Sequence, residues 1–251
     1  MIQVNNISKS FTGRSILKDI NFTFETGKTN IIIGESGSGK TTLLKCMVGL
    51  NEIDSGEILY DGRSFFDLDF KGKKAIRKEI GMLFQGWCLV RLKTVEENVV
   101  FPLSMFTDMS AEEKRDRANF CLQRVNLNNA NNLYPSELSG GMKKRVAIAR
   151  AIAVQPKYLF CDEPNSGLDP KTSIVIDSLI KEITEEYNIT TIVITHDMNS
   201  VIEIGDNIMF IYKGEKWWEG TKHEILKTNN QEICDFVYAT EFMKDLKEKF
   251  Q

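Results

Sequence analysis

The chain has 251 residues and a mass of 28.6 kDa, enough for one large domain or for a core with an inserted subdomain. Hydrophobic residues make up 42% and charged residues 27%, proportions that disfavour the disordered, collagen and coiled-coil classes. The 32 basic and 35 acidic side chains give a net charge of −3, which argues against nucleic acid as a partner. The longest apolar runs are far shorter than the roughly 20 residues of a membrane-spanning helix, and residues 1–11 lack a secretory signal pattern. A cytoplasmic location is therefore expected.

The first predicted elements are strands. Apolar and polar side chains alternate over residues 2–7, 20–24 and 58–60, as they do in half-buried strands. This alternation predicts an antiparallel β region. A continuous apolar run at 29–33 interrupts it and leads through glycines into a helical pattern, so a strand, a Gly-rich loop and a helix are expected there.

The rest of the chain predicts a helical insertion followed by alternating strands and helices. After residue 86 the β pattern stops, and Ser110 with Glu113 forms a capping box ahead of a helical pattern. Apolar runs after Pro156 predict buried parallel strands. The expected segments are a core at 2–86 and 155–222, a helical subdomain at 87–154, and a helical tail at 223–251 that packs on the core.

The Gly-rich loop carries the most specific motif. Gly34 to Thr41 has the form GxxxxGK[ST] between a strand and a helix, which is the context of a nucleotide-binding loop. Its backbone N–H groups and the helix N-terminus favour phosphate, Lys40 would neutralise phosphate charge, and the Thr41 hydroxyl would bind Mg²⁺. The predicted nucleotide-binding residues are Gly34, Glu35, Ser36, Gly37, Ser38, Gly39, Lys40, Thr41 and Thr42.

Two acidic residues follow the apolar run 158–161. Asp162 and Glu163 are expected at the carboxyl edge of the sheet, where open α/β folds bind ligands. Asp162 would hold Mg²⁺ directly or through water. Glu163 would accept a proton from the attacking water, a role typically worth about 10²–10⁴ in rate.

Two further polar residues end apolar runs, and His196 does so on the same edge. His196 is expected to donate to the γ-phosphate and to position the attacking water. Gln85 lies where the core meets the insertion, and its amide could reach Mg²⁺ and sense the γ-phosphate. The alternatives are a structural histidine and a surface glutamine.

A second anion-binding element lies in the insertion. Leu138-Ser139-Gly140-Gly141-Met142 precedes a helix rich in Arg, Lys and Ala, and the open N-terminus of a helix binds anions. The chain already has its own phosphate loop. This second end therefore requires a phosphate held by another copy of the fold, which predicts a dimer.

Together these motifs resemble the nucleotide-binding subunit of ATP-binding cassette (ABC) transporters over residues 2–238. The resemblance rests on GESGSGKTT, the Gln85 loop, the LSGGM signature, YLFCDEP as Walker B, the D-loop from Ser166 to Asp169, and His196 as the switch histidine. It implies an α/β fold, a P-loop NTPase of ABC type. That fold has a RecA-like parallel-sheet core, an antiparallel β subdomain and an inserted helical subdomain.

The resemblance also implies cofactors and partners. The cofactors would be ATP and Mg²⁺, and Phe11 would stack on adenine. A head-to-tail homodimer would sandwich two ATP molecules, each held by one subunit's phosphate loop and by Ser139, Gly140 and Gly141 of the other. Hydrolysis would release the dimer, and the Gln85 region would pass the motion to an integral membrane permease. The chain is then expected as a peripheral protein on the cytoplasmic face of the inner membrane.

A finer resemblance is to ATPases of bacterial phospholipid-trafficking transporters that work with mammalian-cell-entry (MCE) proteins. It rests on GMLFQG, ENVVFPL and YPSELSGGMKKRVAIARAI, including Met142 where most ABC signatures carry glutamine. It implies an MCE protein as a partner and phospholipid as the cargo. The segment from Trp87 to Leu92 departs from this subfamily near the expected coupling surface, which leaves the permease open.

Three other functions remain as alternatives. An ABC exporter ATPase for lipoproteins or small molecules shares the core motifs, although Met142 and the FPL segment argue against it. A soluble ABC protein of DNA repair or translation would need coiled-coil insertions or a second cassette. A P-loop kinase leaves LSGGM, the D-loop and His196 unexplained.

Overall fold

A computed structural model describes residues 1–86 and 88–238, so Trp87 and residues 239–251 of the predicted helical tail lie outside the described residues. The strands are β1 (Ile2–Phe11), β2 (Arg14–Phe24), β3 (Thr29–Ile33), β4 (Ser55–Tyr60), β5 (Arg63–Ser64), β6 (Ile80–Leu83), β7 (Tyr158–Asp162), β8 (Thr190–Ile194), β9 (Asn207–Tyr212) and β10 (Glu215–Gly220). The helices are α1 (Lys40–Met47), α2 (Phe70–Lys78), α3 (Val95–Phe106), α4 (Ala111–Arg124), α5 (Gly140–Ile152), α6 (Pro170–Glu186), α7 (Met198–Ile204), α8 (Lys222–Ile225) and α9 (Gln231–Val237).

The N-terminal strands form the predicted antiparallel sheet, in the order β2-β1-β4-β5. β1 pairs antiparallel with both β2 and β4, so Ile2 lies opposite Phe24 on one side and Tyr60 on the other. Alternate side chains of a strand point to opposite faces. Ile2 and Val4 are buried, whereas Gln3 between them is half-buried. The alternation of apolar and polar residues in β1 therefore corresponds to the two faces of the strand.

The second sheet has the order β10-β9-β3-β8-β7-β6, with the five strands from β9 to β6 parallel and β10 antiparallel to β9. Every residue of β3, β7 and β8 is buried. Such continuous apolar runs are typical of parallel strands covered on both faces. Parallel strands end at the same edge, so the segments that follow β3, β8, β7 and β6 lie side by side.

The insertion between β6 and β7 is built from α3, α4 and α5. The capping box predicted for Ser110 and Glu113 is present at the start of α4. Apolar residues of the insertion, such as Leu122, share a buried cluster with one face of the parallel sheet. The other face packs on the antiparallel sheet. The parallel sheet is therefore the middle layer, and its carboxyl edge is open to bind ligands.

The described C-terminal residues pack on the same core through α9. Ile233 and Val237 are buried in the cluster that also contains the insertion, and the ring of Phe236 lies 5.4 Å from that of Phe210 on β9. Among the helices of residues 1–86 and 88–238, none has the length and apolar character needed to cross a bilayer.

Candidate active site

The carboxyl edge of the parallel sheet gathers residues from four distant parts of the chain. The phosphate loop 34–39 follows β3, His196 follows β8, Asp162 and Glu163 lie at the end of β7, and Gln85 follows β6. Since β8 lies between β3 and β7, the end of β8 separates the phosphate loop from the acidic pair. The strand order thus creates one site from motifs that are separate in the sequence.

The phosphate loop between β3 and α1 requires glycine at two positions. Gly34 has a φ of +149°, and a Cβ atom there would lie 2.2 Å from the carbonyl oxygen of Ile211. Gly39 has a φ of +111° and is the N-cap of α1. These angles favour glycine. The loop can therefore present backbone N–H groups at a helix N-terminus, where anions bind.

Lys40, the first residue of α1, is buried with its ammonium group inside this loop. It donates to the carbonyl oxygens of Gly34 at 2.7 Å and Glu35 at 2.8 Å. Burial lowers the pKa of Lys40, while the carboxylates at the end of β7 oppose that shift. The Ser38 hydroxyl is also buried, and it has no hydrogen-bond partner among the described residues. A bound phosphate would give Ser38 an acceptor and Lys40 a counter-charge.

The remaining loop residues lie around this buried pair. Glu35, Ser36 and Gly37 are exposed, while Thr41 and Thr42, in the first turn of α1, are exposed and half-buried respectively. The structure therefore places the predicted nucleotide-binding segment as one continuous loop and helix start.

Asp162, the last residue of β7, fits a magnesium ligand. Its side chain is buried, and its Oδ1 atom has no hydrogen-bond partner among the described residues. Burial and the charge of Glu163 raise the pKa of Asp162. A divalent cation would give this unpaired Oδ1 atom a partner and favour the ionised form of Asp162. With the Thr41 hydroxyl and the Gln85 amide, the set consists of the oxygen donors that Mg²⁺ prefers.

Glu163 and His196 are in direct contact. Nδ1 of His196 lies 2.8 Å from Oε1 of Glu163. The Glu163 side chain is 14% exposed and that of His196 is 71% exposed, so the carboxylate is sheltered and the imidazole is open to solvent. Glu163 has a left-handed backbone with a φ of +49°, a conformation that costs free energy and is common at active sites. The pair has the arrangement of a base and its orienting group.

The signature segment begins α5 and lies against the start of α6. Ser139 is the N-cap, and its Oγ accepts from the N–H of Met142 at 3.3 Å. Gly140 and Gly141 form the first turn, and a Cβ atom on Gly141 would lie 2.7 Å from the side chain of Thr172. N–H groups of a first helical turn have no acceptor within the helix. The start of α5 can therefore bind an anion beside the D-loop.

Two residues whose roles came from the resemblance have clear structural positions. Asp169 is the N-cap of α6 and accepts from the N–H of Thr172 at 3.0 Å and from its hydroxyl, and these bonds lower the pKa of Asp169. Phe11 ends β1 with 42% of its surface exposed, and the Lys9 ammonium lies 5.2 Å from its ring centre. The ring is open for stacking.

Comparison with known proteins identifies the family. A family model described as ABC transporter matches residues 17–166, which is more than half of the chain. The chain belongs to the ABC transporter family. The methionine import ATP-binding protein MetN of Clostridioides difficile (strain 630) is 40% identical over 237 residues, covering 94% of this chain and 74% of the relative. MetN of Campylobacter jejuni subsp. jejuni serotype O:2 is 35% identical, covering 98% of this chain and 78% of the relative.

Solved structures of ABC proteins share the fold. The dimeric structure of MJ0796, a bacterial ABC transporter cassette, has a TM-score of 0.81 at 37% identity and covers 88% of this chain and 99% of that chain. The structure of cbiO1 from Clostridium perfringens, part of the ABC transporter complex cbiONQ, has a TM-score of 0.84 at 30% identity and covers 99% and 98%. These likenesses confirm the predicted α/β fold of ABC type.

Family membership also confirms the general functional predictions. The chain is the ATP-binding subunit of an ABC transporter. Its activity is ATP hydrolysis, and its cofactors are ATP and Mg²⁺. A second MJ0796 structure is described as a post-hydrolysis state bound to ADP and Pi. The two curated relatives carry methionine import names, so they do not support the finer resemblance to MCE-associated phospholipid transporters.

The structure of this ABC ATPase adds two buried polar residues that the sequence analysis missed. Lys144 on α5 and Asp177 on α6 are both buried. Lys144 lies four residues before Ile148, and Asp177 lies three before Ile180. Such spacing puts each on the apolar face of its helix, so the helical period was a signal that could have found both.

Proposed function

We propose that this chain is the ATP-hydrolysing subunit of an ABC transporter in which Glu163 is the general base and His196 orients it. The supporting observation is the 2.8 Å contact between Oε1 of Glu163 and Nδ1 of His196 on the edge that holds the phosphate loop. A carboxylate fixed in this way can accept a proton from water attacking the γ-phosphate. With both ring nitrogens protonated, His196 would donate from Nδ1 to the Glu163 carboxylate and from Nε2 of its exposed ring to that phosphate.

The other site residues would bind the nucleotide and its cation. Lys40 would exchange its two backbone acceptors for phosphate oxygens, which form stronger charge-assisted bonds. Thr41, Gln85 and Asp162 would hold Mg²⁺, which neutralises phosphate charge when bound. Phe11 would stack on the adenine ring.

The proposed working unit is a head-to-tail homodimer. Ser139, Gly140 and Gly141 at the start of α5 would bind the phosphate held by the partner's loop. The support is the anion-binding character of that helix start and its position beside the D-loop, where Gly141 approaches Thr172. Twofold symmetry would give two equivalent composite sites.

Opening and closing of the dimer would drive an integral membrane permease, with the ATPase attached peripherally at the cytoplasmic face of the inner membrane. A groove of about 510 Å³ lies beside the Gln85 loop. Its lining includes Cys88, Leu89, Arg91, Pro135 and Lys143. Apolar side chains with two cations suit a permease segment that presents apolar and acidic side chains.

Two classes of cargo are supported by different observations. The methionine import names of the curated relatives support uptake of a small polar solute such as methionine, which is our first candidate. Met142 in the signature and the segment ENVVFPL support phospholipid, moved together with an MCE protein, as the second.

Substitution of Glu163 tests the proposed chemistry. Glu163→Gln keeps the side-chain size but removes the proton acceptor, so we expect steady-state ATP turnover to fall by about 10²–10⁴. ATP affinity in equilibrium titration should stay within about threefold, and an ATP-bound dimer should persist. Glu112→Gln, on the exposed first turn of α4, is the matched control. Wild-type turnover in Glu163→Gln would remove Glu163 as the base.

Mass spectrometry of proteins and lipids that co-purify with the natively tagged chain tests the partner and the cargo. Recovery from detergent-solubilised membranes with a permease and a solute-binding protein selects the first candidate. Recovery with a permease, an MCE protein and phospholipid selects the second. Recovery from the soluble fraction alone would contradict both transport functions.

A further inference from the structure

Lys144 is a fully buried lysine in α5, the helix that begins at the signature. Its exposed fraction is 0%, although lysine is almost never buried unless it is paired. Its ammonium group lies 3.3 Å from the backbone carbonyl oxygen of Gln85 and 3.3 Å from that of Glu163. One side chain thus joins the signature helix to both the predicted magnesium-ligand loop and the predicted base.

The surroundings of Lys144 show that this contact is part of a larger attachment. Arg150, six residues further along α5, donates from Nη1 to the carbonyl oxygen of Cys88 at 2.7 Å. The same helix therefore holds the segment after β6 at two points. Burial lowers the pKa of Lys144, and the nearby carboxylates of Asp162 and Glu163 are among the groups that oppose this shift. Neutral carbonyl acceptors and nearby carboxylates together stabilise an ammonium in this position.

The distance from Lys144 to the signature is short. Lys144 is four residues after Gly140, the first residue of α5, which is about 6 Å along a helix at 1.5 Å per residue. A regular helix transmits a shift over that length with little deformation. A displacement of the signature glycines would therefore move the Lys144 ammonium and the two carbonyl groups bonded to it.

We propose that Lys144 is a positioning residue that couples the signature helix of one subunit to Gln85 and Glu163 of the same subunit. The inference rests on the proposed head-to-tail dimer, because there the signature contacts the nucleotide of the partner. When α5 closes on the partner's ATP, Lys144 then fixes the backbone positions of Glu163 and Gln85 in its own subunit. Lys144 thereby contributes to the coupling between the two ATP sites of the dimer.

Three variants of Lys144 and a control isolate this role. Lys144→Met has a side chain of similar length but no donor, so both carbonyl groups lose the ammonium, while that of Glu163 still accepts from the N–H of Ser166 at 3.2 Å. Lys144→Gln keeps a shorter, uncharged donor, which we expect to serve one of the two carbonyl groups. Lys144→Arg keeps the charge and several donors on a longer side chain. Lys74→Met, at an exposed position of α2, is the matched control.

ATP turnover as a function of ATP concentration, measured on the full-length chain in the complex with which it purifies, tests the proposal. We expect kcat to fall by about tenfold or more in Lys144→Met, with an intermediate value in Lys144→Gln. The Hill coefficient should fall toward 1, further in Lys144→Met than in Lys144→Gln. The ATP dissociation constant from equilibrium titration and the melting temperature should stay close to those of wild type. Lys74→Met should match the wild type.

Opposite results would overturn the proposal in distinct ways. Equal kcat and Hill coefficients across wild type, Lys144→Met and Lys144→Gln would remove the coupling role, and parallel losses of ATP affinity and melting temperature would make Lys144 merely structural. If Lys144→Met does not fold, Lys144→Gln and Lys144→Arg decide by the same readouts. An absence of ATP turnover in both wild type and Lys74→Met would instead overturn the proposed function itself.

Discussion

At the residue scale, the site places two unusual acidic residues side by side. The proposed base Glu163 has a strained backbone, and an oxygen of Asp162 has no hydrogen-bond partner among the described residues. Glu163 adopts a left-handed backbone, which costs on the order of 1 kcal/mol or more for a non-glycine residue. Its N–H donates to the carbonyl oxygen of Ile194 at 2.9 Å, and its own carbonyl oxygen accepts from Lys144. That carbonyl oxygen also accepts from the N–H of Ser166 at 3.2 Å, and these three bonds hold the strained conformation that brings the carboxylate to His196.

Asp162 should show a trade-off between activity and stability. Burial and the charge of Glu163 raise the pKa of Asp162, so the ionised carboxylate destabilises the folded protein in the absence of a cation. Asp162→Asn should therefore lower Mg²⁺-dependent turnover by at least about tenfold and raise the free energy of unfolding of the nucleotide-free protein at pH 8. Urea denaturation and an ATPase assay measure the two effects. A less stable nucleotide-free variant would contradict this account.

Asp177 should make stability depend on pH. Burial raises the pKa of Asp177 from 3.8 to about 6, although Ser200 donates to its Oδ2 atom at 2.8 Å. The folded state then binds more protons than the unfolded state between these two values. The free energy of unfolding should consequently fall as pH rises through this window, by up to roughly 3 kcal/mol.

Asp177→Asn should remove this contribution. The stability of the variant relative to wild type should increase between pH 4 and pH 7, as measured by urea denaturation at several pH values. Asp67→Asn, at an exposed position, controls for the loss of one negative charge. A stability difference that stays constant with pH would show that Asp177 does not titrate in this range.

At the element scale, α5 combines three roles in thirteen residues. Its first turn is the predicted anion-binding end, Lys144 contacts two loops of the site, and its apolar face is part of the core cluster. The helix therefore links the surface that is proposed to face a partner subunit with the interior of its own subunit.

Ser139→Arg should separate ATP binding from hydrolysis. The long cation would block the start of α5, so we expect turnover to fall by at least about tenfold, while ATP still binds through Lys40. Loss of the N-cap costs roughly 0.5–2 kcal/mol of stability. Ser110→Arg removes the corresponding cap of α4 and controls for that cost. Loss of ATP affinity in equilibrium titration would count against a trans role for Ser139.

At the whole-molecule scale, the head-to-tail dimer predicts complementation between two inactive variants. Lys40→Met inactivates the phosphate loop of its own subunit, and Ser139→Arg inactivates the site of its partner. A mixed dimer then retains one intact site, formed by Lys40 of one subunit and Ser139 of the other. An equal mixture should recover up to about a quarter of wild-type turnover under twofold symmetry. Because the two sites are proposed to be coupled, this quarter is an upper limit. Failure of ATP to stabilise a mixed dimer of the two variants would contradict the head-to-tail arrangement.

The sequence determined those parts of the protein whose signals are local. The phosphate loop, with its glycines, Lys40 and flanking strand and helix, is contiguous, and the capping box of Ser110 and Glu113 depends only on spacing. Continuous apolar runs identified β3, β7 and β8 as buried parallel strands. The motifs, taken in their order along the chain, were then sufficient to predict the ABC family, its fold, its ATPase activity and its cofactors.

Only the tertiary structure decided which of these residues meet. The bond between Glu163 and His196 depends on β7 and β8 being neighbours in the sheet, and the contacts of Lys144 depend on α5 packing against that sheet. The spacing of Asp177 to Ile180 was a local signal of burial, but only the packing shows that Ser200 on α7 donates to its carboxylate. Such contacts join residues far apart in the chain. They leave no local pattern, because burial and strand order arise from the packing of whole elements.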